Sequence, residues 1–129
     1  TVMDIAPTLV VQLKEKYKDN PHVKIILGDF FEHEGEYDLV LEQTFFCALN
    51  PGLRKDYVAK ISALLAPNGK LAGILFNREF EQQGPPFGGS KSQYEPMFQK
   101  YFIFKTFEPC YNSFIKRKDS ELFIILIKK

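Results

Sequence analysis

The chain has 129 residues, 45% of them hydrophobic, with 13 Phe, 6 Tyr and no Trp, which sets one domain with a bulky core and excludes disorder. Basic residues number 17 and acidic residues 16, a net charge of +1, too small a basic excess for nucleic acid to be the main partner. No apolar run approaches the ~20 residues of a membrane span, Thr1–Asp4 lacks a signal-peptide pattern, and Cys47 and Cys110 are scattered with no metal-ligand spacing to His22 or His33. A cytoplasmic, metal-free protein is the resulting expectation.

Thr1 to Ile5 is expected to be a short strand ending on an acid, Asp4. Pro7 suits a first helical turn, and Leu9, Val10, Leu13 and Tyr17 recur at helical spacing, so residues 7–18 form an amphipathic helix that Asn20-Pro21 stops. Val23–Leu27 is a strand closed by Gly28-Asp29. After a polar loop from His33 to Glu36, Tyr37–Leu41 is a third strand, closed by Glu42, and a short helix follows near Phe45–Leu49. Asn50-Pro51 opens a helix whose apolar face carries Leu53, Tyr57, Val58, Ile61, Leu64 and Leu65. Pro67-Asn68-Gly69 ends it, and Lys70–Phe76 is a buried strand.

Residues 78–89 form a Gly- and Pro-rich loop. Ser90 to Gln93 has the capping-box pattern that opens a helix to about Lys100, with Pro96 near its first turn. Tyr101–Pro109 and Glu121–Lys128 are strands with no helix between them, hence an antiparallel pair at one edge. The order β-α-β-β-α-β-α-β-β, with near-continuous apolar strands, indicates an α/β fold built on a mostly parallel sheet covered on both faces.

Ligands of open α/β sheets bind beyond the carboxyl ends of the strands, and three acids, Asp4, Asp29 and Glu42, are expected at such ends. A carboxylate accepts two hydrogen bonds and a ribose diol donates two. An acid after the next strand can accept from an adenine amino group, with Phe30 or Phe31 against the ring. Each acid alone is better read as a helix cap or a solvated loop charge; three at successive strand ends point to a nucleotide-like ligand. The glycine loop of a nucleotide-binding βαβ unit would precede Thr1, so residues 1–129 are expected to be the C-terminal two-thirds of a single domain, with an N-terminal strand and glycine loop outside the chain.

The stretches Asp4-Ile5-Ala6-Pro7, Gly28-Asp29-Phe30-Phe31, Tyr37-Asp38-Leu39-Val40, Thr44-Phe45-Phe46-Cys47-Ala48-Leu49, Leu64-Leu65-Ala66-Pro67-Asn68-Gly69 and Gly84-Pro85-Pro86-Phe87 together resemble the thiopurine S-methyltransferase family, which includes halide and thiol methyltransferases. The resemblance implies a Rossmann-like class I methyltransferase sheet of seven strands, the last antiparallel. It implies S-adenosyl-L-methionine as cofactor and methyl transfer to a small soft nucleophile. Carried over residue by residue, Asp4 and Ile5 would meet the ribose, Asp29 and Phe30 the adenine, and Glu42 and Gln43 the methionine end. Gln43 departs from the Tyr or Arg of many relatives. Phe45, Phe46, Arg78, Pro86, Phe87 and Tyr94 would line or lid the acceptor pocket. No general base is required of such a site, because alignment and desolvation drive attack on a sulfonium methyl, and Cys47 is expected to be a buried structural thiol.

Two other readings use the same acids. A nicotinamide-dependent oxidoreductase also places a strand-end acid on ribose, and a non-catalytic remnant of the fold would keep the rim without turnover.

Overall fold

The computed structural model describes residues 1–129, which divide into two units, Thr1–Glu34 and Gly35–Lys129. In the first unit, strands β1 (Val2–Asp4) and β2 (Ile25–Leu27) pair in parallel, Met3 opposite Ile26 and Asp4 opposite Leu27. The helix between them, α1 (Pro7–Lys16), begins on Pro7, whose fixed φ and missing N–H cost nothing at a helix start, and buries Val10. Asp29 caps a single 3-10 turn, Phe30–Glu32, by accepting a hydrogen bond from the Phe31 amide.

The second unit holds a four-stranded sheet in the order β3-β4-β6-β5, where β3 is Tyr37–Gln43, β4 Leu65–Phe76, β5 Phe102–Pro109 and β6 Glu121–Lys128. β3 and β4 are parallel. β6 runs antiparallel to both of its neighbours, inserted between β4 and the edge strand β5. Strand period places Val40, Glu42, Leu71, Leu75, Leu122, Ile124 and Leu126 on one face, and of these Leu71, Ile124 and Leu126 are completely buried. Helices α2 (Arg54–Leu64) and α3 (Lys91–Phe98) cover that face. Tyr57, Val58 and Ile61 come from α2, and Phe98 of α3 packs its ring on Phe102 and Phe107.

Three sequence expectations change here. β3 does not stop at Leu41: it continues through Gln43, so Glu42 lies inside the strand with its side chain on the buried face. The turn Pro67–Gly69 does not precede β4 but is looped out within it, between the pairings Tyr37↔Leu65 and Leu39↔Lys70, with Asn68 at φ 62°. Pro96 falls in the second turn of the eight-residue α3, where it removes the amide that would bond to Ser92. Ser90 and Gln93 do form the expected start, the Ser90 amide donating to Gln93 Oε1 at 3.0 Å. No helix is long and apolar enough to cross a membrane.

Candidate functional site

Beyond the carboxyl ends of the parallel strands β3 and β4 lies a small cavity, partly open to solvent and with room for about one water molecule. Gln43, Thr44, Phe46 and Cys47 form one wall, Ile74 to Phe76 the second, and Arg117 and Glu121 the third. This is where an open α/β sheet places its ligand. Glycine makes the strand pair close here: a Cβ on Gly73 would sit 2.1 Å from the Glu42 carbonyl oxygen.

The wall after β3 is shaped by Glu42. Its Oε1 accepts from the amides of Phe45 (2.9 Å) and Phe46 (3.0 Å), and Oε2 accepts from the Tyr57 hydroxyl. Only 4% of the residue is exposed. Burial raises the Glu42 pKa above the usual carboxylate value, and the bonds from Tyr57 and from the Phe46 and Phe45 amides pull it partly back. Burial likewise pushes the Tyr57 phenol far up, with the Glu42 charge adding to the effect. The two capped amides turn the chain sharply, and Thr44 adopts φ 63°, a left-handed conformation that a β-branched residue rarely takes. Its hydroxyl donates to the Gln43 carbonyl at 2.6 Å. Cys47 donates from Sγ to the Thr44 carbonyl, and burial followed by the Glu42 charge raises its thiol pKa.

Sequence reasoning passed over three of the residues that build this region. Arg54, in the first turn of α2, is 7% exposed and stacks on Phe46 and Tyr94, with guanidinium-to-ring distances of 5.0 and 5.5 Å. Its Nη2 donates to the carbonyl of Gly88 at 2.7 Å, so a buried cation fastens the 78–89 loop to the helix. Arg117 and Glu121 reach the cavity only because β6 inserts beside β4. An exposed-looking arginine in a basic run and a strand-start acid carry no local signal of that.

The residues singled out from sequence are distributed as follows. Gln43 and Phe46 line the cavity. Glu42 supports it from behind, its carboxylate committed inward to the Phe45 and Phe46 amides and the Tyr57 hydroxyl. Phe45 is 40% exposed beside the Tyr57 ring. Pro86 and Phe87 line a separate, wide hollow inside the 79–88 loop, and Arg78 sits at the base of that loop, its backbone bridged to Gly89 and its guanidinium 4.6 Å from the Phe80 ring centre. Tyr94 is a core residue, 1% exposed, donating to the Phe76 carbonyl at 2.8 Å, with burial pushing its phenol up to about 12. In the first unit, Asp4 and Asp29 share one arrangement: each fixes its carboxylate by accepting through Oδ1 from the amide two residues on, at 2.8 Å. Ile5 is 69% exposed, and Phe30 makes an edge contact with Phe31 at 5.2 Å.

Solved structures share this fold. The N-methyltransferase NodS from Bradyrhizobium japonicum, crystallised with S-adenosylhomocysteine, matches with a TM-score of 0.76 at 13% identity over 98% of this chain and 65% of that one. TehB from Haemophilus influenzae matches with a TM-score of 0.71 at 13% identity, over 98% of this chain and 49% of its own. The fold is therefore the Rossmann-like α/β sheet of class I methyltransferases. The family model of thiopurine S-methyltransferase matches residues 4–122, and the chain belongs to that family. Among curated relatives, a probable thiol methyltransferase 2 of Arabidopsis thaliana is 35% identical over 98 residues, covering 72% of this chain and 43% of its own length. A thiopurine S-methyltransferase of Vibrio parahaemolyticus is 31% identical over 83 residues, covering 63% and 38%. The chain thus spans less than half the length of these two relatives.

Proposed function

We propose that the protein transfers a methyl group from S-adenosyl-L-methionine to a small soft nucleophile, a thiol, a thiopurine or a halide-like anion. The observation that carries this reading is the small cavity beyond the ends of β3 and β4, walled by Gln43 and Phe46, in a chain of this family. When bound, the cofactor supplies an activated sulfonium methyl: the acceptor's lone pair forms the new bond as the sulfonium carbon–sulfur bond breaks and its electron pair returns to sulfur, leaving a neutral thioether.

Asp4, Ile5, Asp29 and Phe30 are assigned to the nucleoside part and Gln43, set by Glu42, to the methionine end. The acids suit the task. Each is held rigid through one oxygen, and a carboxylate has lone pairs for about four bonds, which leaves capacity for hydroxyl or amino donors. Phe45 and Phe46 are assigned to the acceptor, with Arg78, Pro86, Phe87 and Tyr94 shaping its surroundings. The apolar wall of Phe46, Ile74 and Leu75 would strip water from a soft anion, and no side-chain base is assigned because a halide-like anion has no proton to remove and a thiol or thiopurine reacts as its thiolate, its proton having gone to solvent. The reading takes residues 1–129 as the later two-thirds of one class I methyltransferase domain, acting in the cytoplasm, where Cys47 and Cys110 remain free thiols. A screen for labelled-methyl transfer to thiocyanate, iodide, hydrosulfide, simple thiols and 6-mercaptopurine tests it. Transfer to at least one is expected, and transfer to none overturns the assignment.

A further inference from the structure

We propose that Arg54 is a positioning residue for methyl transfer: it locks the 78–89 loop to the turn that follows β3, so that the cofactor side and the acceptor side of the site keep one spacing. The proposal rests on the methyl-transfer reading for its purpose and on geometry for its substance.

The two parts come from distant stretches of chain. Gln43 opens the turn after β3, and Phe87 stands near the end of the loop. The loop closes on itself at a neck, where the Gly89 amide donates to the Arg78 carbonyl at 2.9 Å and a Cβ on Gly88 would overlap that same carbonyl. The neck meets the turn through the Phe87 amide, which donates to the Cys47 carbonyl at 2.7 Å. Arg54 fastens the same junction from α2. Its Nη2 donates to the Gly88 carbonyl at 2.7 Å and reaches the Phe87 carbonyl at 3.4 Å. Its guanidinium stacks on the rings of Phe46, in the turn, and Tyr94, in α3. One side chain thus touches the turn, the neck and the helix that follows the loop. The turn itself is held independently, because Glu42 accepts from the Phe45 and Phe46 amides.

A residue that served stability alone would not be held this way. Arg54 is 7% exposed, no carboxylate lies within ion-pair distance of it, and its Nε has no hydrogen-bond partner. Burying a charge without a counter-ion carries a desolvation cost that an apolar side chain of similar volume avoids. The apolar side chain could not hold the carbonyls of the neck while stacking on the turn. That spacing matters to an in-line displacement, in which a misplacement of ~1 Å costs on the order of 10²-fold in rate.

Amide hydrogen exchange followed by NMR, together with steady-state kinetics, tests the lock. Arg54→Met keeps an apolar stem and removes both the donors and the charge, whereas Arg54→Lys keeps the charge without the plane. Both are expected to speed exchange of the Phe87 amide about tenfold or more, while the amides of Leu71 and Ile124, deep in the sheet, stay within about twofold. With any acceptor that the protein methylates, both are expected to raise the acceptor KM about tenfold or more and to leave the cofactor KM within about threefold, since Glu42 still holds the turn. A merely structural role would instead lower the yield of active enzyme, and so the apparent kcat, at unchanged KM. Unchanged exchange at Phe87, an equal acceleration at Leu71 and Ile124, or an unchanged acceptor KM overturns the proposal. If one variant does not fold, the other decides; failure of both to fold assigns Arg54 to stability and overturns it. A chain that methylates no acceptor loses the transferase reading, and exchange at Phe87 then still decides whether Arg54 holds the neck.

Discussion

Replacing Glu42 probes the element on which the cavity wall depends. Glu42→Ala leaves three buried or half-buried donors without their acceptor, the Phe45 and Phe46 amides and the Tyr57 hydroxyl. An unsatisfied buried donor costs about 1–3 kcal/mol. Removing a buried carboxylate relieves a desolvation penalty that offsets part of the sum, so the net loss should be about 3 kcal/mol, or a fall in Tm of roughly 10 °C. Glu42→Gln keeps an oxygen for the two amides and offers an N–H to the Tyr57 oxygen, so it should remain within about 1 kcal/mol of the unaltered chain at pH 7. The pH dependence separates the two states of the acid. Because the folded pKa is raised, the proton is held more tightly in the folded state, and the associated stabilisation is complete below the unfolded value near 4.5 and lost as pH rises through the folded value. The stability of the unaltered chain relative to Glu42→Gln should therefore fall as pH rises above 4.5 and level off beyond the folded pKa. Thermal unfolding followed by circular dichroism from pH 4 to 8 reads both effects. Equal stability of the Ala and Gln variants, or a relative stability that rises with pH, would refute the role given to this carboxylate.

Gly73→Ala places a methyl 2.1 Å from the Glu42 carbonyl and should cost about 2–3 kcal/mol in urea unfolding, with little change expected only if β3 and β4 can separate. Arg54→Ala should free the 78–89 loop, seen as faster protease nicking within it, and Arg54→Lys should fail to restore protection because lysine neither stacks as a plane nor forks. Asp4→Ala should weaken S-adenosylhomocysteine binding by about 1–3 kcal/mol through the loss of charged hydrogen bonds, read by calorimetry; an unchanged affinity would remove Asp4 from the site.

Local chemistry made much of the fold legible. Asn50 accepts from the Gly52 amide as a helix-start residue should, Ser90 and Gln93 open α3, and β6 runs Glu121–Lys128 as its apolar run indicates. The failures share one cause, that tertiary partners decide what a polar residue does. Glu42 looks like a strand stop because acids seldom lie inward, yet Tyr57 and two turn amides supply the donors that allow it. Arg54 looks solvated until Phe46, Tyr94 and the Gly88 carbonyl enclose it. Tyr94 and Phe87, distinctive in sequence, serve a core contact and a loop hollow, while Arg117 and Glu121 become neighbours of Gln43 only through the antiparallel insertion of β6.

The cofactor assignment is tested most directly by titrating the protein with S-adenosylhomocysteine in a calorimeter. Saturable one-to-one binding with a Kd of about 1–100 μM, or roughly −8 to −5 kcal/mol, is the expected result. No binding heat at high micromolar nucleoside, from protein that unfolds cooperatively, would contradict it.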